Sequence, residues 1–249
     1  MYRKAKGGTA MYYKKIEGKL CYLSPINQDD YELYTRWLND LDISIGLMTA
    51  SKIITPEKER EILAHLQNTE YNFAIVDRQR HTLVGNIGIL NIDTLNRCAE
   101  IGVFIGKKED QSKGYGQESL NLILDFGFNI LNFHNMYLKV YDYNKIAISC
   151  YAKVGFKEAG RLRETKIIAG QKFDTIYMDM LASEFKSPVI ADIVKKKNQV
   201  KKYGVSTSSE VFSNHQMASR EKVGVLINMA DQRMYHAKGM GKNRVVFEI

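Results

Sequence analysis

The sequence predicts an α/β fold in which a mixed, mostly antiparallel sheet is flanked by helices. Three apolar runs, YNFAIVD (71–77), TLVGNIGILNI (82–92) and AEIGVFIG (99–106), follow one another with only short polar turns between them. This pattern is typical of an antiparallel meander. Helical spacing precedes and follows the meander, and two further strand-like runs complete the pattern near residue 185.

The elements before the meander are a short strand and two helices. LCYLSP (20–25) is strand-like, and the segment NQDDYELYTRWLND places its apolar residues at helical spacing before an Asn-Asp stop. Thr55-Pro56-Glu57 is typical of a helix start, because a capping hydroxyl precedes a proline and an acid in the first turn.

The elements after the meander alternate between helix and strand. A helix is predicted from Tyr115 to about Leu131, a strand at MYLKVYD (136–142) and a second helix from Asn144 to Val154 that Gly155 closes. RLRETKIIA and KFDTIYMDML, joined by Gly170-Gln171, indicate a hairpin. Pro188 interrupts both helix and sheet patterns, so Lys186-Ser187-Pro188 is the predicted domain boundary.

The charge distribution favours a cationic partner over a nucleic acid. The 249 residues carry a net charge of +8, yet the body between residues 16 and 185 has 19 basic and 23 acidic residues. The surplus lies at the two ends, with five basic residues and no acid in the first 15 and 12 basic against five acidic from residue 186 onward. A mildly acidic body attracts an amine more readily than a phosphate backbone.

Several classes of site and location are not expected from the composition. No run approaches the ~20 apolar residues that cross a bilayer, so no membrane association is predicted. Cys21, Cys98 and Cys150 are widely spaced and odd in number, which fits reduced thiols in a cytoplasmic protein. The five histidines lack ligand spacing, so no metal site is predicted.

The segment with the clearest chemical meaning is Gln111-Ser112-Lys113-Gly114-Tyr115-Gly116, between a predicted strand and a predicted helix. The free backbone N–H groups and partial positive charge of a helix N-terminus bind phosphate, and glycines let the backbone approach it closely. Taken alone, the same pattern also fits a plain turn and helix cap.

This segment resembles motif A of the GNAT acetyltransferases, Q/R-x-x-G-x-G/A, which in that family binds the pyrophosphate of acetyl-CoA. The resemblance continues from AEIGVFIG through YAKVGFKEAGRLRE and includes RWLND (36–40). It is closest to the branch with the ribosomal-protein N-terminal and spermidine acetyltransferases, and it covers about residues 17–185. It implies a GNAT-like sheet and an N-acetyltransferase that uses acetyl-CoA as co-substrate.

The resemblance also implies which residues hold the co-substrate. The backbone of Val103, Phe104 and Ile105 would hold the pantetheine arm, with a gap opening toward the next strand. The pyrophosphate would lie on the segment from Gln111 to Gln117, which comprises Gln111, Ser112, Lys113, Gly114, Tyr115, Gly116 and Gln117. Asn144 matches the residue that hydrogen-bonds pantetheine, and its position also fits a simple helix N-cap.

Two residues are implied for the chemistry. Tyr151, two helical turns after Asn144, matches the tyrosine that protonates the CoA sulfur; the alternative is a core aromatic beside Phe156. Glu100 matches a carboxylate that could take the amine proton through a water; the alternative is a solvated strand-end carboxylate.

The acceptor stays open among a polyamine, a protein N-terminus and an aminosugar. In the family that this chain resembles, the first two helices, the loop between them and the last hairpin select the acceptor. Acidic residues cluster in this region, although a charged helix start and a solvated loop explain them without any substrate; they are Asp29, Asp30, Glu32, Asp40 and Asp42. A non-catalytic CoA-binding sensor or scaffold is the alternative function. A homodimer is left open.

The two ends are predicted to lie outside the enzyme. Residues 1–16 form a basic extension, residues 17–185 the acetyltransferase domain, and residues 186–249 a short α/β appendage. NMADQRMYHAKGMGKNRVVF resembles the end of GGDEF diguanylate cyclase domains, but the GG(D/E)EF signature is absent. The appendage is therefore interpreted as a truncated remnant without cyclase activity.

Overall fold

A computed structural model describes residues 12–47, 49–68 and 71–203 of the chain. The described residues form eight strands and six α-helices. The strands are β1 (Ile16–Glu17), β2 (Cys21–Pro25), β3 (Asn72–Asp77), β4 (Leu83–Asp93), β5 (Cys98–Ile105), β6 (Asn135–Tyr141), β7 (Lys157–Ile168) and β8 (Gln171–Leu181). The helices are α1 (Tyr31–Asn39), α2 (Leu41–Ser44), α3 (Pro56–Asn68), α4 (Tyr115–Asn129), α5 (Lys145–Val154) and α6 (Ile190–Tyr203).

The strands form one sheet in the order β1-β2-β3-β4-β5-β6-β8-β7. Every neighbouring pair is antiparallel except β5 and β6, which run parallel. The predicted meander is present, since β3 pairs with β4 and β4 pairs with β5. The prediction of a mixed, mostly antiparallel sheet flanked by helices is confirmed.

Helices cover both faces of the sheet, and the alternation of side chains along β5 shows which face is which. Ala99 and Ile101 belong to the core that contains α4 and α5, with Val103 and Ile105 packed against it. Phe104 packs instead against the smaller core formed with α1 and α3. Because successive side chains of a strand point to opposite faces, Glu100 lies on the α1–α3 side of the sheet.

The sheet opens between β5 and β6. The two strands pair only from Cys98 to Glu100 on β5 and from Asn135 to Tyr137 on β6. Beyond this point β5 pairs only with β4, and β6 pairs only with β8 as far as Tyr141. The two strands therefore separate toward their carboxyl ends and leave a gap, as the family resemblance implied.

Two elements differ from the sequence expectation. The helix α2 follows α1 directly, because the Asp40 side chain accepts the N–H of Asp42 at 2.9 Å and starts a new turn. The last hairpin is longer than predicted, since β7 begins at Lys157, which pairs with Asp179. No helix in the described segments is long and apolar enough to cross a membrane.

The chain stays attached to the sheet domain beyond the predicted boundary. Asp125 on α4 is fully buried and accepts hydrogen bonds from Ser187 Oγ (2.6 Å), Val189 N (2.9 Å) and Ile190 N (3.0 Å). It therefore caps α6 from a distant helix. The compact unit that contains the sheet extends to Gln199. The appendage predicted to resemble a GGDEF domain lies mostly outside the described residues.

Candidate active site

The predicted phosphate segment forms the turn that leads into α4. Ser112 (φ 59°) and Gly114 (φ 95°) both adopt left-handed backbone conformations, and Gly114 is the N-cap of α4. Glycine suits position 114 because a Cβ would be strained at this φ and would lie 3.0 Å from Leu20 Cδ1. The first helical hydrogen bond runs from Glu118 N to Gly114 O at 2.9 Å.

Most backbone N–H groups of residues 112–117 are available to a ligand. Those of residue 112 and residues 114–117 donate to no acceptor among the residues that the structure describes, whereas Lys113 N closes the turn at residues 111–112. These neighbouring donors at a helix start, beside left-handed residues, suit an anion. We call this segment, residues 111–117, the phosphate cradle. The side chains of Ser112, Lys113 and Gln117 are exposed at it.

A polar cluster of three buried residues and the half-exposed Arg80 holds the Tyr115 side chain of the cradle. The Tyr115 hydroxyl donates to Asp77 Oδ2, so the tyrosine side chain is bound within the protein and only its backbone faces a ligand site. Arg80 joins the cluster by donating to Asp77 (3.0 Å), Asp110 (3.0 Å) and the Tyr115 hydroxyl (3.3 Å). Burial opposes ionisation of Asp77, but hydrogen bonds from Arg80, Tyr115 and Gln79 N lower its pKa to about 2.

The cradle, the open edge of β5 and helix α5 meet at Gly116. A Cβ at this position would lie 3.7 Å from Cys150 Sγ on α5 and 4.0 Å from Ile105 Cγ1 on β5. Gln111 Nε2 donates to Ile105 O at 3.5 Å and links the cradle to the same strand. The residues predicted to hold pyrophosphate and pantetheine are therefore adjacent in space.

Asn144 lies at the start of α5, at the far end of the gap. Its Oδ1 accepts Ala147 N at 3.1 Å, so the residue is an N-cap. Its Nδ2 approaches Gly46, where a Cβ would lie 3.1 Å away. The neighbouring Tyr143 hydroxyl donates to Ile45 O at 2.5 Å. The loop after α2 is thus fixed to the start of α5.

Tyr151 lies on the α4 side of the sheet, within the larger core. Its side chain is 9% exposed and packs edge-on against Phe156, with the ring centroids 6.2 Å apart. Its hydroxyl has no hydrogen-bond partner in the part of the chain that the structure describes. Burial raises the pKa of Tyr151, so the hydroxyl keeps its proton at neutral pH.

Glu100 lies on the opposite side of β5, at the last paired position before the gap. Its Oε2 accepts from Lys139 Nζ and Asn91 Nδ2, both at 2.8 Å. The hydrogen bond to Glu100 raises the pKa of Lys139 and keeps the amine charged. The carboxylate is therefore a buried ion-pair partner rather than the solvated strand-end group that was the alternative.

A second carboxylate on the α1–α3 side has no counterpart in the sequence predictions. Glu59 on α3 is 2% exposed, and its Oε2 has no hydrogen-bond partner among the described residues. Burial raises the pKa of Glu59 to about 7. Burial also raises the pKa of Tyr34 on α1, and the charges of Asp30 and Glu59 raise it further, which places Tyr34 near both acids.

Aromatic rings accompany these acids. Tyr34, Trp37 and Phe104 contact one another edge-on, with centroid separations of 5.6 to 6.1 Å. Trp37 lies against Gly106, where a Cβ would come within 2.1 Å of the indole ring. Glycine at position 106 therefore lets α1 approach the end of β5.

The acidic residues predicted to face the acceptor have separate local roles. Asp40 caps α2, Asp30 accepts the Tyr12 hydroxyl at 3.0 Å, and Asp42 lies 3.9 Å from Lys108 on the surface. Burial raises the pKa of Asp30 to about 6, with the Tyr12 hydrogen bond opposing it. Of this group, Asp30 is the one that approaches the aromatic rings.

Comparison with known proteins connects this geometry to a family. The acetyltransferase (GNAT) domain family matches residues 21–157, which include the cradle, the open edge of β5 and Tyr151. The chain belongs to the GNAT family of acetyltransferases. The prediction of an N-acetyltransferase that uses acetyl-CoA is thereby confirmed. The match to the family begins at Cys21, the first residue of β2.

Relatives and solved structures agree with this assignment. A spermidine N(1)-acetyltransferase of Vibrio cholerae is 36% identical over 118 residues, which are 47% of this chain and 67% of that protein. The crystal structure of spermidine N-acetyltransferase from Vibrio cholerae in complex with CoA and spermine matches with a TM-score of 0.60 and 27% identity, over 66% of this chain and 97% of that one. A GNAT acetyltransferase from Bacillus anthracis, 20% identical, has the same fold, with a TM-score of 0.61 over 70% of this chain and all of that one.

Residues that sequence reasoning missed are Asp77, Arg80 and Glu59. In the sequence, the segment DRQRH around Arg80 indicates only a turn between two strands. Glu59 is one of several charged residues in a predicted helix, so nothing distinguishes it from a surface acid. The one signal available for Glu59 was its position four residues before Leu63, which places both on the buried face of α3.

Proposed function

We propose that this chain transfers the acetyl group of acetyl-CoA to a primary amine of a polyamine, by direct attack within a ternary complex. The observation that carries the co-substrate part is the row of unpaired backbone N–H donors in the phosphate cradle, next to the open edge of β5. The acceptor part is supported by the spermidine acetyltransferase relatives and by the acids and aromatic rings on the α1–α3 side.

The cradle suits the pyrophosphate, and the gap suits the pantetheine arm. The left-handed residues at the start of α4 are followed by unpaired N–H groups, and a pyrophosphate bound there would accept hydrogen bonds from them. The free edge of Val103, Phe104 and Ile105 offers backbone groups at strand spacing. Asn144 uses Oδ1 as a cap and keeps Nδ2 for the amide groups of pantetheine.

The two chemical residues would act from opposite faces of the sheet. Tyr151, protonated and on the α4 side, would donate its proton to the departing sulfur. Glu100, on the other side, would accept the amine proton through a water. The ion pair with Lys139 and the hydrogen bond from Asn91 hold the carboxylate at the point where the sheet opens.

The acceptor would lie on the α1–α3 side. An ammonium group that enters there would approach the aromatic rings of Tyr34, Trp37 and Phe104 and would favour the ionised form of Glu59, whose buried Oε2 has no partner among the described residues. Carboxylates and ring faces both attract cations. A polyamine carries further ammonium groups beside the reacting one, so a second acid such as Asp30 adds selectivity over a monoamine.

The test is release of free CoA thiol from acetyl-CoA in the presence of spermidine, an aminosugar or an N-terminal peptide. We expect turnover with spermidine. Tyr151→Phe should lower kcat about 100-fold with little change in KM for acetyl-CoA, since general acid catalysis contributes about 10²- to 10⁴-fold. Gly114→Glu should abolish CoA binding, because a side chain with a negative charge would stand in the cradle.

The Glu59→Gln variant separates acceptor binding from chemistry. Its KM for spermidine should rise about tenfold while its KM for acetyl-CoA stays unchanged. Glu61→Gln, an exposed acid on the same helix, is the matched control. CoA binding without turnover on any amine would instead support the sensor function, and equal KM values for the two glutamate variants would remove Glu59 from the acceptor site.

A further inference from the structure

Asp110 places a negative charge at the edge of the phosphate cradle. Asp110 immediately precedes Gln111. The whole residue is 4% exposed and its side chain is 5% exposed, so the carboxylate is buried. A carboxylate in this position repels the pyrophosphate that the adjacent N–H groups attract. The chain must therefore neutralise this charge to keep the cradle suited to an anion.

Arg80 faces Asp110 from the turn between β3 and β4. One guanidinium nitrogen lies 3.0 Å from Asp110 Oδ1, and Nε lies 3.0 Å from Asp77 Oδ2. Asp77 in turn accepts the backbone N–H groups of Gln79 and Arg80, at 2.8 and 2.6 Å, so the base of the arginine is fixed. The ion pairs with Asp110 and Asp77 raise the pKa of Arg80, which stays charged at all relevant pH values.

Lys113 is the other cation near this carboxylate, but it is placed less well. Its Nζ lies 3.8 Å from Asp110 Oδ1, and its side chain is 56% exposed. A flexible surface lysine at this distance contributes little. The guanidinium of Arg80 is also half-exposed and is shared with Asp77, but its contacts at 3.0 Å with both carboxylates hold it in place and make it the nearer counter-ion of Asp110.

We propose that Arg80 is a positioning residue for acetyl-CoA: it neutralises Asp110 and so keeps the phosphate cradle selective for a pyrophosphate. Arg80 acts through Asp110 and makes no contact with the co-substrate. This inference rests on the proposed function, because CoA is taken as the ligand of the cradle. It assigns a role in the GNAT domain to a residue 30 positions away from Asp110 in the sequence.

The experiment is a double-mutant cycle on the full chain, with the Kd for CoA measured by isothermal titration calorimetry. Arg80→Gln should weaken binding at least tenfold, because Asp110 then faces the pyrophosphate without its counter-ion. Asp110→Asn alone should stay within threefold of wild type. The double variant should return to within about threefold of wild type, since removing the carboxylate removes the need for the arginine.

Two further variants distinguish charge from structural support. Arg78→Gln is the matched control: it changes an arginine of the same turn that is equally exposed but paired with Glu17 at 2.8 Å. It should leave the Kd unchanged. Arg80→Lys keeps the charge and should bind CoA within about threefold of wild type, and it remains informative if Arg80→Gln fails to fold.

The outcomes separate this inference from the proposed function. A double variant as weak as Arg80→Gln, or an Arg80→Lys as weak as Arg80→Gln, would mean that Arg80 supports the turn and not the charge balance. An unchanged Kd for folded Arg80→Gln would likewise overturn the inference while leaving the function intact. Absence of CoA binding by wild type would overturn both.

Discussion

Replacement of Asp125 should detach the segment that leads into α6. Its two oxygens accept four hydrogen bonds, from Ser187 Oγ, Val189 N, Ile190 N and Asn129 Nδ2, and the residue is 0% exposed. In Asp125→Ala the two backbone N–H groups lose their acceptor. A buried donor without an acceptor costs about 1–3 kcal/mol, so the two together give a loss of about 4 kcal/mol in the free energy of unfolding.

Detachment of the segment would limit this loss, because the freed N–H groups could then reach water. The measurements are therefore urea unfolding and limited proteolysis between residues 186 and 203. Asp125→Asn keeps the shape and part of the hydrogen bonding and should lose only about 1–2 kcal/mol. Asp192→Ala, an exposed acid on α6 itself, should change stability by less than about 0.5 kcal/mol.

The reasoning is wrong if Asp125→Ala loses less than about 1 kcal/mol and cleavage of residues 186–203 is no faster than in wild type. That result would mean that residues 187–190 contribute nothing to the domain. The opposite result would establish that the acetyltransferase domain continues past the proline that marks its predicted end.

Three other predictions concern single side chains. Glu100→Gln should lower kcat about 100-fold if the carboxylate is the base, and a kcat within threefold of wild type would leave it only its ion-pair role. Burial raises the pKa of Glu59 from 4.5 to about 7, so the folded protein binds a proton that the unfolded chain releases. Wild type should then lose up to about 3 kcal/mol of its free energy of unfolding as the pH rises through the range between these two pKa values, and Glu59→Gln should not. If the urea midpoint changes equally in the two proteins between about pH 5 and pH 8, the prediction is wrong. Gly106→Ala should cost about 1–3 kcal/mol through its clash with Trp37, whereas Gly160→Ala, with no atom within 4 Å of its Cβ, should be neutral in the same assay.

Local patterns in the sequence were sufficient for the order of elements and for the location of the cradle. Strand alternation and helical spacing depend on neighbouring residues, as do the cap at Asn144 and the left-handed turn at Gly114. The family resemblance then supplied candidate roles for Tyr151 and Glu100, which no local pattern assigns. These roles stay predictions, whereas the fold and the class of reaction are confirmed.

The tertiary structure alone determined the contacts between residues that are far apart in the chain. Arg80 and Asp110 are 30 positions apart, and Asp125 and Ile190 are 65 apart. Each pair depends on strand register and helix packing, which a local pattern does not encode. The same holds for the ion pair of Glu100 with Lys139, because β5 and β6 become neighbours only when α4 crosses the sheet between them. The sequence by itself therefore determined which elements form and where the ligand segment lies, while packing determined which charges face each other around it.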